Sequence, residues 1–216
     1  MDETQRLSRT IWIGVGLLII IGCLTFVSSR LKPVSRAARL PIIGPVADFV
    51  LTNQESRVVT LADLRGRIWV ADIIFTRCAG PCPRMTRQMG SLQAALPRDS
   101  QARLVTLTTD PDNDSPAVLK QYATRFNADP TRWTFLTGTK SQIAGLAIHS
   151  LKLTAVEKKP EERTDADDLF IHSTIFVVVD KQAQLRAVFE TDGEGLAWTN
   201  VQSSIVATIK QLERER

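Results

Sequence analysis

The nine residues RIWVADIIF (Arg67 to Phe75) are apolar on both alternating sets of positions. A strand with one wet face would alternate, so this run predicts a strand covered on both faces, central in a sheet with helices above and below. Directly after it, FTRCAGPCPRMT (Phe75 to Thr86) carries Cys78 and Cys82, two of the three cysteines, with three residues between them. From Pro83 the apolar residues Met85, Met89, Leu92 and Leu96 recur at helical spacing. The strand therefore feeds a helix through a turn that carries the cysteine pair.

The same alternation continues on either side. ADFVLTNQESRVVTL reads as two strands around a polar turn at Asn53–Ser56, an N-terminal β-hairpin. ARLVTLTTD (102–110) is a second central strand, and Ser115 with Pro116 caps and opens a helix. RWTFLTG (132–138) is a third strand, KSQIAGLAIHSL (140–151) a helix, and residues 155–168 a charged insertion. STIFVVVD (173–180) and AQLRAVFE (183–190) pair across a tight turn, and a last helix runs from about Leu196 to Leu212. Strand–helix alternation closed by a hairpin and a helix gives an α/β sandwich with a mixed sheet flanked by helices, over residues 45–213.

Ahead of this domain, Ile11 to Val27 form a run without charge, which predicts a single transmembrane helix following a tail of residues 1–10. Trp12 suits the headgroup level. A competing reading takes IIGC (Ile20 to Cys23) as a lipoprotein processing box with Cys23 lipidated; otherwise Cys23 is a small apolar residue of the helix. Residues 28–44 form a basic, proline-containing linker. Arg30, Lys32, Arg36 and Arg39 carry the whole charge excess of +4, since beyond residue 39 basic and acidic side chains number 21 each. A nucleic-acid partner would need a basic face on the domain itself, so that class is excluded. Two Lys/Arg before the apolar run and four after it bias the domain inward. Long carboxy-terminal domains are translocated despite such a bias, and the expected place of the domain is the periplasmic, extracytoplasmic side of a single-pass anchor.

A helix amino terminus offers free N–H groups and partial positive charge, which favours a thiolate at the cysteine turn. Cys78 and Cys82 read as a disulfide switch, as part of a metal site, or as two buried thiols. Two thiolates suit monovalent copper, with imidazole the usual third donor. The chain has two histidines: His149 reads as a helix-surface side chain, and His172 stands at a strand end directly before STIFVVVD. Met85 and Met89 lie on the helix stripe and read as core. DPDND (110–114) has the first spacings of a calcium loop, but Ser115 and Gln121 stand where glycine and glutamate are needed, so it reads as a turn and cap.

Taken together, ADFVLTNQ, VTLADLRGRIWVADIIFTRCAGPCPRMT, LVTLTTDPDNDSPAVLKQYATRF, WTFLTG and HSTIFVVVDKQAQLRAVFE resemble the Sco (SenC) family of membrane-anchored copper chaperones, from about Val46 to Gly193. The resemblance implies a thioredoxin-like fold, copper as the bound ion, and Cys78, Cys82 and His172 as its ligands. It also implies a partner, the dinuclear copper site of cytochrome c oxidase subunit II. Two positions depart from the family pattern. Ala79 follows the first cysteine where proline is common, and Ile171 precedes the histidine where aspartate is common. A ligating histidine needs an acceptor for its other nitrogen, which Asp167 or Asp168 would then supply.

Three functions compete on these residues. The first is a copper chaperone. The second is a thiol–disulfide oxidoreductase cycling Cys78 and Cys82, with Cys78 attacking, that keeps the target's copper-site cysteines reduced. The third is a peroxidase in which Thr76 and Arg77 activate Cys78. His172 discriminates, because copper needs it and disulfide exchange does not.

Overall fold

The computed structural model describes residues 3–30, 39–163 and 170–215, and for 3–11, 27–30, Ala155, Val156, Pro160, Ile171 and His172 the backbone alone. The chain divides into two units, Met1–Ala38 and Arg39–Arg216. In the first, α1 runs over Glu3–Arg30, so the expected tail is helical from Glu3 onward. The expected membrane span meets a different finding: among the described residues no helix is long and apolar enough to cross a membrane. The side chains described in α1 are those of residues 12–26. Every large apolar side chain among them is exposed, Trp12 at 72%. Residues 31–38 of the expected linker lie outside the described residues.

In the second unit, β4 (Trp69–Ile74) is buried at every position, as its nearly continuous apolar run requires. Val70 and Ile74 face one core and Trp69, Ala71 and Ile73 the other. Beside it lie β5 (Arg103–Thr108) and β6 (Trp133–Thr137), both parallel, and β9 (Ile175–Val179), antiparallel. With β1 (Gly44–Pro45), β2 (Val50–Asn53), β3 (Val58–Thr60) and β10 (Gln184–Glu190), they form one eight-stranded mixed sheet in the order β1-β10-β9-β4-β5-β6-β2-β3. Helices α3 (Cys82–Ala95), α4 (Pro116–Arg125) and α6 (Trp198–Arg214) contribute to the core on one face; α2 (Leu61–Leu64) and α5 (Lys140–Ala144) contribute to the core on the other. Met85, Met89 and Leu92 are fully buried on the α3 stripe, so they are core as the spacing says. Truncating any of them to alanine would cost about 2–5 kcal/mol.

Four local features add to or differ from the sequence expectation. The expected N-terminal hairpin is present as β2–β3, and it also joins the main sheet through β6 as an edge. Gly44, expected as the last residue of the linker, already pairs with β10, as does Pro45. The helix expected over 140–151 is α5 followed by a π turn, Gly145–Ser150, in which the Leu151 N–H reaches back five residues to the Leu146 carbonyl. The extra residue in that turn lets Leu146, Ala147 and Leu151 all face the core. Finally, His172 does not sit directly before β9. It ends β8 (Phe170–His172), which pairs with β7 (Ala155–Glu157) as a separate two-stranded sheet, so the charged insertion is partly a hairpin. The alternation that marks an outer strand was hidden there by the charges around it.

Candidate metal centre

The C-terminal end of β4 delivers Phe75, after which the Cys78 N–H bonds back to the Phe75 carbonyl (3.3 Å) and closes a turn. Ala79 and Gly80 are exposed, and α3 begins at Cys82, flanked by Pro81 and Pro83. Proline fits a first helical turn because its missing N–H would have no partner there. Cys82 is 0% exposed and Cys78 8%. The two thiols are not joined in a disulfide and are hydrogen-bonded to each other.

The expected thiolate at the helix terminus is not found at Cys82. Burial pushes its thiol well up, and the hydrogen bond and charge of Cys78 add to this; a backbone hydrogen bond at Phe75 acts the other way, and Asp72 pushes up again. Desolvation of a fully buried sulfur outweighs the helix dipole, whose effect on a terminus is about 0.3–1 kcal/mol at the surface. Cys78, with some access to solvent, is the entry point for reagents. Alkylation of the reduced protein at neutral pH is expected to modify Cys78 at least tenfold faster than Cys82, read by peptide mass mapping; equal rates would contradict the burial difference.

A carboxylate knot holds the turn in place. Asp114, fully buried, accepts from the Thr76 N–H (3.0 Å), the Thr76 hydroxyl, the Thr108 hydroxyl (2.5 Å) and Asn113 Nδ2 (2.8 Å). Asp110 pairs with Arg77 at 2.7 Å. The DPDND segment is thus a brace for the cysteine turn, and its Ser115 caps α4 as expected. Thr76 and Arg77 are both bonded to these aspartates.

Beneath the pair lies polar chemistry that sequence reasoning missed. Asp72, the one polar residue of β4, accepts from the Thr106 hydroxyl (2.7 Å), which in turn accepts from Trp133 Nε1 (2.9 Å). Asp72 shares its strand face with Val70 and Ile74, in the core that contains Cys82. The signal available was a single carboxylate in an otherwise apolar strand. On the α3 side, the Thr86 hydroxyl donates to the Cys82 carbonyl and also hydrogen-bonds the Tyr122 hydroxyl at 2.8 Å, and burial pushes that phenol up.

The histidines separate. His149 is exposed on the π turn, beside a cleft lined by Ala47, Asp48 and Leu146, and its neighbours Leu146 and Ala147 belong to the core on the face opposite α3. His172 lies on β8, its backbone in register with Ala155. Phe170 of the same strand packs edge-on against Phe75, ring centroids 5.1 Å apart, which brings β8 to the end of β4 where the cysteine turn starts. The His172 side chain, Asp167 and Asp168 lie outside the described residues. Among the described residues no group of three or more His, Cys, Asp or Glu side chains is arranged to hold a metal. The described donors are Cys78 and Cys82, two soft sulfurs in contact, which fit a soft monovalent ion.

A mixed sheet flanked by helices, with a cysteine pair between its central strand and the next helix, defines a thioredoxin-like protein. The SCO1/SenC family model matches residues 44–205, and the chain belongs to that family. A SCO1 protein homolog of Bacillus subtilis (strain 168) is 38% identical over 141 residues, which is 64% of this chain and 70% of the relative. Among solved structures, BsSco, described as a member of the Sco family of cytochrome c oxidase assembly proteins with a disulfide switch, matches with TM-score 0.67 and 28% identity, over 82% of this chain and 99% of its own. Yeast Sco1 with copper bound matches with TM-score 0.63 and 25% identity, over 79% and 90%.

Proposed function

We propose that this protein is a copper chaperone whose cargo is held by Cys78, Cys82 and His172 and passed to the dinuclear copper site of cytochrome c oxidase subunit II. The observation that carries the reading is the pair of reduced, mutually hydrogen-bonded thiols at the β4–α3 turn, with the His172 strand docked on Phe75 beside it. Relatives of the same fold with copper bound support it. Two thiols and an imidazole give a three-donor set suited to copper, and loading must release the thiol protons.

A second reading is supported by the same contact between sulfurs. In a thiol–disulfide oxidoreductase, the Cys78 thiolate attacks a target disulfide and releases one target thiolate. Cys82 then attacks the Cys78 sulfur, closing the Cys78–Cys82 disulfide and releasing the second thiolate, so the target gains the two electrons that the pair loses. The greater exposure of Cys78 supports it as the attacking group.

The exposed apolar side chains of α1 support its burial in a membrane, since contiguous apolar surface of that size is not left in water. The chain is then anchored by residues 11–27, or by lipid on Cys23, with the second unit on the extracytoplasmic side. The test of the cargo site is copper stoichiometry on the reduced full-length chain in detergent, compared with Cys78→Ala and His172→Ala. One copper per chain, lost or greatly weakened in both variants, is the expected result. Retention in His172→Ala would remove the imidazole from the site, and no copper in the wild type would leave the oxidoreductase as the better account.

A further inference from the structure

The β7–β8 hairpin shares no ladder with the main sheet among the described residues. Its base is tied down, since only Ser173 and Thr174 separate His172 from β9, and the Ser173 hydroxyl accepts from the Thr154 N–H at 3.1 Å. Above that base, β8 is held through Phe170 against Phe75, and β7 carries a tie of its own. The three aspartates of DPDND divide between the two halves of the site. Asp110 goes to Arg77 and Asp114 to Thr76, both in the cysteine turn. Asp112 goes instead to Lys140, at 2.9 Å. The same Lys140 ammonium donates to Glu157 at 3.2 Å, and Glu157 is the β7 residue in register with Phe170 of β8. Thr139 caps the first turn of α5, its hydroxyl accepting from the Gln142 N–H and its own N–H donating to Gln142, which fixes the start of the helix from which Lys140 projects.

We propose that Lys140 is a positioning residue: by bridging Asp112 to Glu157 it couples the loop that braces the cysteine turn to the hairpin that bears His172, and so sets where His172 stands relative to Cys78 and Cys82. The proposal rests on the reading of His172 as a copper ligand. All three groups are largely exposed, so the bridge contributes little to overall stability. Its effect falls on the hairpin, which has no ladder of its own to the sheet. The facing charges are Asp112 from the β5–α4 loop and Glu157 from β7, with Arg163 a further 3.5 Å partner of Glu157.

The test uses the full-length chain in detergent, as wild type, Lys140→Glu, Lys140→Gln, Lys140→Arg and His172→Ala. The first measurement is hydrogen exchange of the metal-free reduced protein, followed at the amides of 155–157 and 170–172 with those of β4 as the reference. Lys140→Glu is expected to raise exchange of the hairpin amides about fivefold, the effect of losing roughly 1 kcal/mol, while β4 is unchanged and Lys140→Arg stays near wild type. Unchanged hairpin exchange overturns the proposal, and so does faster exchange of hairpin and β4 together, which would be general destabilisation. The second measurement is copper affinity. Loss in His172→Ala with about fivefold weakening in Lys140→Glu supports the proposal. Loss in His172→Ala with wild-type affinity in Lys140→Glu overturns it and leaves the ligand reading intact. Wild-type affinity in His172→Ala defeats the ligand reading and with it the claim that Lys140 sets a ligand, whatever the exchange data show about the hairpin.

Discussion

Asp114→Ala is expected to lower the stability of the domain by about 3 kcal/mol and to abolish copper binding at the cysteine pair even where the protein remains folded. The carboxylate accepts four hydrogen bonds, and two of the donors, the Thr76 N–H and the Thr76 hydroxyl, belong to the turn that presents Cys78. Hydrogen bonds to a charged acceptor contribute about 1.5–3 kcal/mol each, and donors left buried without an acceptor cost about 1–3 kcal/mol. Two hydroxyls can turn to other acceptors, which keeps the total near the lower end. For a domain of this size about 3 kcal/mol corresponds to a fall in Tm of roughly 6–12 °C. The more specific consequence lies at Cys82, whose sulfur is shielded only while the turn stays closed over it. Alkylation of Cys82 is expected to rise toward that of Cys78 in Asp114→Ala, and Asp114→Asn to fall between, because its amide can accept on one side only. Wild-type protection of Cys82 together with wild-type Tm in Asp114→Ala would mean that the knot does not hold the turn.

The elements that the sequence disclosed are those whose reasons are local. A nearly continuous apolar run bounded by turn signals reads as a doubly covered strand, and its centre is β4; Met85, Met89 and Leu92 at helical spacing share a helix face, and they lie in the core under α3. The position of Cys78 and Cys82 at the strand-to-helix turn followed from those two elements. What was illegible depends on partners distant in the chain. DPDND reads locally as a turn and a cap, and its role as a brace appears only when Thr76, 38 residues earlier, is brought beside Asp114. Asp72 drew no reading from the sequence, because its acceptor role depends on Thr106, which stands opposite it in the ladder. The thiolate expected from the helix terminus at Cys82 failed because burial is a property of the packed fold and outweighs the local dipole. His172 was legible as a strand-end residue ahead of β9, but not as the end of a separate strand β8, because the pairing of β8 with β7 spans a charged segment with no periodic signal of its own.

Arg186→Ala is expected to be at least as destabilising, about 3–5 kcal/mol, but without effect on the thiols below the unfolding temperature. The Arg186 side chain is 6% exposed and carries two carboxylates and two carbonyls on one guanidinium. Nη1 meets Asp180 Oδ2 at 2.6 Å, Nη2 meets Glu215 Oε2 at 2.7 Å and the Leu40 carbonyl at 2.6 Å, and Nε meets the Pro41 carbonyl at 3.1 Å. Removing one partner of a buried ion pair leaves the other charge uncompensated, which costs about 3–5 kcal/mol. Here it also frees the start of the domain, because residues 40–41 are held to β10 by this side chain as well as by the Ile43 N–H on the Leu185 carbonyl. Arg186→Lys keeps the charge but not the planar fork, and is expected to recover less than half of the loss. The two ends of the sheet make the comparison informative. Val179 lies in register with Trp69 at the start of β4, so Asp180 and Arg186 gather at the end opposite to the one that delivers Cys78. Thermal unfolding and Cys82 alkylation, measured side by side, should therefore move together in Asp114→Ala and apart in Arg186→Ala; alkylation that rises in both would show that the cysteine turn is held by the stability of the whole domain rather than by its own carboxylate.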